Sequence, residues 1–572
     1  MASQFDSPHY AERLAQLARI ILAPDRAFFW QAAVFSVAIS VLTLAVPLSV
    51  QILIGTVANI ALLRPIVVLA VVLFTLLAMY GLLVGVQAHL MDVFERRLFA
   101  RVTQEIVMRS IQARYAVVES INREELANRF FEIITIQRNM PALVINGSTI
   151  VLQTVVGFAV VSAYHPVFLI FNIGVLLLLY LVWKLWAGAA IRSKLASSYA
   201  KYQVAHWLEE LARANAFFKS SRTIHFALTE SERVISNYVA QHRRHFRHKF
   251  TQQIGFLALY ASASAALLGV GGWLVISNEL TLGQLVAAEL ILASVFASMA
   301  RISSLLEEFY ELCAALYKLG DFFDLPLEPS SSEGESLAAG PADLRFAGVQ
   351  THLRDRLFEF DFAISAGAKI MAVVDSHALQ KCVTDLAMRH VEPERGAIVF
   401  GGRDFADLNI QALRDEIIVI ENSGVLERSI EENLTLGDPG ITRAAVRDLL
   451  AAVGLEEVIN SLPDGLSTPL GAFGYPLSRS ETIRLKIAAA VLARPKVLIL
   501  TQIFDTLSAH HRRQILDYLT HDPTLSLLSF TDRRDFDGYG AYWLLKADGH
   551  HVFERIEDLI AFERTRENAS PA

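Results

Sequence analysis

The chain has 572 residues, room for two or three domains, with 53% hydrophobic and only 19% charged residues and a mean hydropathy of +0.39. That apolar excess is too large for a soluble domain and points to membrane spans. A net charge of −7 gives no case for nucleic-acid binding, and two cysteines, Cys313 and Cys382, supply neither a disulfide framework nor a metal-ligand spacing.

The N-terminus carries Asp6, Glu12 and Arg13 before any long apolar run, unlike a cleavable leader. Residues 8–24 place Leu14, Leu17, Ile20 and Ile21 at helical spacing, which predicts a short interfacial helix within residues 1–26; a soluble amphipathic helix is the alternative. Charge-free runs follow at Ala27–Leu63, Pro65–Met91, Asn139–Trp183 and Phe250–Asn278, and a fifth at Leu280–Ala300 is interrupted only by Glu289. One helix needs about 20 residues to cross a bilayer. The run Asn139–Trp183 is therefore read as two spans, broken at His165-Pro166 because proline disfavours helix in the residue before it. The total is six spans within residues 27–325.

Very short links alternate with two long ones, 92–138 and 184–249, both rich in Arg, Ala, Leu and Glu. Their composition predicts helices, and their basic charge predicts that they and both termini are cytoplasmic. The tips of the long links fall near Val117–Glu124 and Ala214–Arg222. Glu289 is a candidate transport-cavity residue, since an ionisable group inside a span is a functional candidate by default; alternatively it reaches interfacial water past the loop Ser277–Glu279. The run 242–250, HRRHFRHKF, reads as a helix end meeting anionic headgroups, with a specific ligand role as the other reading.

Residues 326–343, rich in Pro, Ser, Gly and acid, form a linker, and residues 564–572 a loose tail. Between them, in residues 344–563, β-like runs at Ile370–Val374, Ile417–Ile420, Val497–Leu500 and Leu525–Phe530 alternate with helical stretches, an α/β pattern. The stretch 366–389 has the strand-loop-helix context of a phosphate-binding loop. Such a loop needs glycines so that backbone N–H groups can close on the phosphates, a lysine for the β and γ phosphates, and a hydroxyl for magnesium. Here Val374-Asp375-Ser376-His377-Ala378-Leu379-Gln380-Lys381-Cys382 contains no glycine. Further on come SIEENLTLGDP (429–439), Leu477-Ser478-Arg479-Ser480-Glu481 ahead of a helix, and the apolar strand Val497–Leu500 followed by Thr501-Gln502.

In order and spacing these segments, with 281–326 as a last span and exit helix, resemble an ATP-binding cassette (ABC) exporter half-transporter over about residues 15–563. The resemblance implies a six-span α-helical membrane domain fused to an α/β ABC-type nucleotide-binding domain, with a short coupling helix at each tip. It places the family's phosphate-loop lysine at Gln380 and its hydroxyl at Lys381, the magnesium-binding Asp at Thr501 and the catalytic Glu at Gln502. The adenine-stacking aromatic falls at Leu353, the γ-phosphate-sensing glutamine at Glu421, the switch histidine at Asp532 and the Asp after the catalytic strand near Ser508. The signature LSGGQ keeps Ser478 and replaces both glycines, by Arg479 and Ser480. Asp375 puts negative charge where an anion would sit, and a one-residue shift turns Lys381 about 100° away from the lysine slot.

These departures lead to the expectation of a degenerate cassette that is not an enzyme and takes no cofactor, ATP and magnesium entering only if the site works in an unorthodox way. The expected role is a membrane subunit of an export or secretion system in a bacterial inner membrane, acting with an active ABC partner or as a scaffold. Its partners are the lipid bilayer, a second copy or an intact ABC half, and a periplasmic adaptor. The alternatives are an active ATP-driven exporter and a membrane receptor or regulator without transport.

Overall fold

The computed structural model describes residues 9–59, 63–120, 129–300, 302–329, 334–335, 340–353, 356–533, 538–546 and 549–569. It divides into two compact units, Met1–Leu327 and Glu328–Ala572.

The first unit is helical. Its elements are α1 (His9–Leu22), α2 (Arg26–Leu42), α3 (Ala45–Asn59), α4 (Leu63–Gln112), α5 (Glu132–Ala142), α6 (Ser148–Ser162), α7 (Pro166–Arg213), α8 (Ser221–Ile276), α9 (Leu282–Ala300) and α10 (Ile302–Phe323). At 1.5 Å per residue, α4, α7 and α8 are each roughly 70–85 Å long, more than twice the hydrocarbon thickness, so their polar halves must stand outside it. Five helical stretches are long and apolar enough to cross a membrane: Glu12–Thr56, Arg64–Gln112, Glu132–Ser162, Pro166–Arg213 and Ser221–Ile276. The apolar helix Leu282–Ser298 is shorter and stands where the sixth span is expected.

Local chemistry sets the breaks. His165 is extended (φ −158°, ψ 140°), its ring accepts the Val167 amide at 3.3 Å, and Pro166 opens α7, so the long apolar run divides there. The turn between α7 and α8 lies at the expected second tip, where a short 3₁₀ turn (Phe217–Lys219) precedes Ser220, which caps α8 through a reciprocal bond with Thr223. Of the first expected tip, residues 121–124 lie outside the described residues; the short helix Tyr115–Ser120 stands just before them.

Two apolar cores hold this unit. One joins Phe94, Leu98, Ile133, Ile136, Leu316 and Leu319; the other joins Phe158, Phe168, Leu267, Leu274, Ile291 and Val295. Large apolar side chains such as Phe74, Leu82 and Ile170 remain exposed along the apolar stretches, as a lipid-facing surface requires. The α1 helix buries Leu17 and Ile21 and packs on α10, where Gly320 permits the approach: a Cβ there would stand 2.6 Å from Leu17 Cδ1. The predicted apolar face of α1 is thus covered by protein along Leu17 and Ile21, with Ile20 left exposed.

The second unit is α/β. A four-stranded antiparallel sheet has the order β2-β1-β4-β5, from Arg356–Ile364, Leu344–Leu353, Arg395–Phe400 and Arg403–Asp404. A six-stranded sheet has the order β10-β9-β3-β8-β7-β6, from Gly549–Phe553, Ala541–Lys546, Lys369–Val374, Ser526–Phe530, Val497–Leu500 and Ile417–Ile420. In β2, Phe358, Phe360, Phe362 and Ile364 alternate inward, the period of a strand with one face in the core. β7 and β8 are buried at every residue, as parallel strands covered on both faces must be. Within the linker, Glu328 forms a two-pronged ion pair with Arg414 (2.7 and 2.8 Å), and the Glu335 amide bonds to the Asp407 carbonyl at 2.8 Å. The final helix, Ile556–Ala569, runs six residues beyond Glu563 into the segment read as a loose tail; no proline or glycine interrupts it before Pro571.

Candidate nucleotide site

The strands β3, β8, β7 and β6 are mutually parallel neighbours. Their carboxyl ends therefore open on one edge, where a parallel sheet presents its binding crevice. Val374, Phe530, Leu500 and Ile420 end these strands, so the fold gathers Asp375–Gln380, Asp532, Thr501-Gln502 and Glu421 along that edge.

The loop after β3 is two residues long. Val374 is buried in the core, Asp375 is exposed, and Ser376 already caps α11 (His377–Ala387), its hydroxyl accepting the Leu379 amide at 3.3 Å. That bond uses one of the amides that a helix N-terminus would offer to an anion. His377 is exposed. Gln380 is 3% exposed, and its Oε1 accepts the backbone amide of Gln502 at 3.1 Å. The side chain in the lysine slot thus braces the end of β7. Lys381 runs along the helix to Asp385, with Nζ 3.2–3.3 Å from both carboxylate oxygens, a partner the one-residue shift in register makes available at i+4. Cys382 is buried, and burial pushes its thiol up to about 11.

On the adjoining strands, Thr501 is buried and its hydroxyl donates to the Ile420 carbonyl at 2.7 Å, a cross-strand bond to β6. Gln502 donates through Nε2 to Asp532 Oδ2 at 3.1 Å. Asp505, which the sequence does not single out, accepts the Thr531 hydroxyl and the Asp532 amide, and burial raises its carboxyl above the usual range. Lys486 bonds to Asn422 Oδ1 at 2.7 Å; burial holds its ammonium below the usual lysine range, opposed by the charge of Glu421. No sequence signal distinguishes these two residues from ordinary helix and loop positions.

The signature-like residues stand elsewhere. Leu477 is buried and Ser478 caps α12 (Arg479–Leu492) in a reciprocal pair: Ser478 N–H to Glu481 Oε2 at 2.7 Å, and Glu481 N–H to Ser478 Oγ at 3.3 Å. Arg479 is exposed and Ser480 half-buried. Among the described residues none of their hydrogen bonds reaches the strand-end edge. Leu353 ends β1 opposite Arg356, and Glu289 lies in the other unit, exposed on α9.

These residues do not fit magnesium triphosphate held in the manner of a glycine-rich loop. The loop has collapsed to a helix cap, the two side chains in the lysine and magnesium slots are turned into packing bonds, and Asp375, Glu421, Asp505 and Asp532 leave the edge rich in carboxylates.

The chain is 27% identical over 326 residues to the alpha-hemolysin translocation ATP-binding protein HlyB of Escherichia coli O157:H7, covering 56% of this chain and 46% of that protein. It is 26% identical over 383 residues to the leukotoxin translocation ATP-binding protein LktB of Bibersteinia trehalosi, covering 65% of this chain and 54% of the relative, and LktB of Mannheimia haemolytica matches equally. The chain thus spans about half the length of the curated relatives it matches. No protein-family profile matches it. Among solved structures, a bacterial Atm1-family ABC exporter with ATP bound superposes with a TM-score of 0.79 at 17% identity, covering 96% of this chain and 99% of that one.

The fold is that of an ABC exporter. The resemblance to ABC exporter half-transporters therefore stands, as a helical membrane domain followed by an α/β nucleotide-binding domain. With its several apolar helices, the ABC exporter fold makes this an integral membrane protein of the multi-pass kind. The expectation that the chain is not an enzyme does not stand. The relatives are named as ATP-binding translocation proteins, and that finding conflicts with it. Motif counting misjudged this because it scored the loop residues of one chain, while the likeness to ATP-binding relatives extends over hundreds of residues. The expectation of no cofactor finds no support on the same ground.

Proposed function

We propose that the chain is one membrane half of an ATP-driven export or secretion pump, working as a pair of cassettes and drawing most of its phosphate contacts from the partner cassette rather than from residues 374–382. The observation that carries this reading is the pairing of an exporter fold with Gln380 and Thr501 both committed to intrachain bonds. The relatives are named for translocation of alpha-hemolysin and leukotoxin, which favours a toxin-like cargo; the basic links 92–138 and 184–249 support both termini on the cytoplasmic side of a bacterial inner membrane. An intact ABC half is the favoured partner, because a second copy would bring the same collapsed loop. A periplasmic adaptor would complete the export path. The second reading, a self-sufficient exporter with an unorthodox site, is favoured by the ATP-binding relatives and would use Arg479 or Lys486 as phosphate contacts.

The test is to isolate the chain with its partners from native membranes, identify them, and measure magnesium-dependent phosphate release by the assembly and by the chain alone. The reading expects turnover in the assembly that is insensitive to Asp375→Ala and Ser376→Ala. A chain that turns over alone, and loses turnover with those substitutions, would move the phosphate contacts back into its own loop. An assembly with no nucleotide dependence would remove the pump altogether.

A further inference from the structure

Beyond the nucleotide edge, the foot of the paired helices α7 and α8 carries a charge arrangement that the pump reading does not use. Along one face of α8 the exposed residues are Arg243, Arg247, Phe250, Ile254 and Leu257, at steps of four, three, four and three. This is a single helical stripe that changes from basic to apolar within one turn. Phe246 stacks on Phe250, centroids 5.6 Å apart with the planes at 22°, and Arg244 is exposed beside them. On α7, exposed Tyr180, Leu181, Trp183 and Leu185 give way in the same sense to exposed Arg192. Arg247, Arg244 and, from α7, Arg192 are all near enough to His248 for their charges to act on it, so the basic cluster extends across the α7–α8 pair.

The inward side of the same turns is balanced. Lys194 pairs with Glu311 at 2.7 Å, Lys249 pairs with Glu307, and the buried His245 bonds through Nδ1 to Ser193 at 3.1 Å. The outward arginines are not balanced: among the described residues Arg243, Arg244 and Arg247 have no ion pair. Like charges within one or two helical turns repel one another. An anion with fork-accepting oxygens relieves that repulsion, because guanidinium donates in pairs to phosphate. The apolar continuation of the stripe says what the anion is attached to.

We infer that this face is a binding site for an anionic glycerophospholipid, its headgroup phosphate among Arg243, Arg244, Arg247 and His248, and its acyl chains along Phe250, Ile254 and Leu257.

The full-length protein is reconstituted into nanodiscs of mixed phosphatidylglycerol and phosphatidylcholine, and the lipids that stay bound after transfer to detergent are counted by native mass spectrometry. Phosphatidylglycerol is retained in preference to phosphatidylcholine. At about 1 kcal/mol per cation near a membrane surface, the triple variant R243Q/R244Q/R247Q lowers that preference on the order of 100-fold and R247Q alone about fivefold. The control K219Q/R222Q, at the far end of α8, leaves it unchanged. R247Q guards against misfolding, since it alters one exposed side chain. Equal retention of the two lipids, or an undiminished preference in R247Q and the triple variant, overturns the site. Displacement of the bound lipid by inorganic phosphate at equal concentration would make it a free-anion site and overturn the lipid assignment.

Discussion

Gln380 offers the sharpest test of how the phosphate-loop region is held. Its side chain is 3% exposed and its Oε1 is the acceptor for the Gln502 amide at 3.1 Å, so it ties α11 to the end of β7. Gln380→Leu keeps the volume and removes the acceptor. A buried donor left without a partner costs about 1–3 kcal/mol, and because Gln502 is only half-buried the lower part of that range applies, about 1–2 kcal/mol. For a unit of this size that corresponds to a fall in Tm of roughly 2–8 °C. Gln380→Lys, which restores the family's residue, is expected to be worse, because it puts an ammonium into a pocket whose one partner is a backbone N–H donor. The assay is hydrogen exchange of the full-length protein across residues 497–505, alongside thermal unfolding. Both variants should lose protection at Gln502, and Gln380→Lys should gain no thermal stabilisation from magnesium ATP. Unchanged exchange in Gln380→Leu would show that the bond does not hold the strand end. Saturable stabilisation of Gln380→Lys by magnesium ATP would show that the loop opens for phosphate.

Lys318 is 1% exposed, 2.8 Å from Glu132 Oε1, and lies over the ring of Tyr202; burial brings its ammonium down to about 8. Because the folded state holds this proton less tightly than the unfolded chain, stability should rise as pH goes from about 8 to about 10.5, a rise that a Tm series would show and Lys318→Met would abolish. Glu132→Ala leaves the ammonium unpaired and should cost about 3–5 kcal/mol in chemical denaturation, whereas Glu132→Gln with Lys318→Met together should be close to neutral. Ser478→Ala removes the cap of α12 and should cost about 1 kcal/mol, with faster exchange confined to residues 479–483. Gly320→Ala should loosen α1 by about 1–3 kcal/mol, read as proteolysis near residues 9–22, with Leu17→Ala restoring the fit; no rescue would mean that Leu17 is not what the added methyl meets.

Much of the fold could be read in the chain because its signals are local. Charge-free runs betray apolar helices by length alone, His165-Pro166 marks its own break, and the four β-like runs proposed for the cassette reappear as β3, β6, β7 and β8. Such features depend on neighbours a few residues away, and sequence displays those directly. Of the positions matched to the family's motifs, Gln380, Glu421, Thr501, Gln502 and Asp532 stand along one edge because parallel strand order brings loop after loop there, whereas Leu353 and Ser478–Ser480 do not.

What those residues do there was decided by tertiary structure. Nothing in the letters Gln380 and Thr501 says that one turns inward to a backbone amide 122 positions away and the other to the carbonyl of Ile420. A side chain takes whichever partner the folded neighbourhood leaves open, and those partners come from distant strands. The same holds for the outward arginines of α8: the sequence displays a basic run, but only the packing of α10 against α8 shows that Lys249 is neutralised from within and Arg243, Arg244 and Arg247 are left to the surroundings. Local composition determined the elements; the energetic cost of leaving buried polar groups unpaired determined where their side chains went.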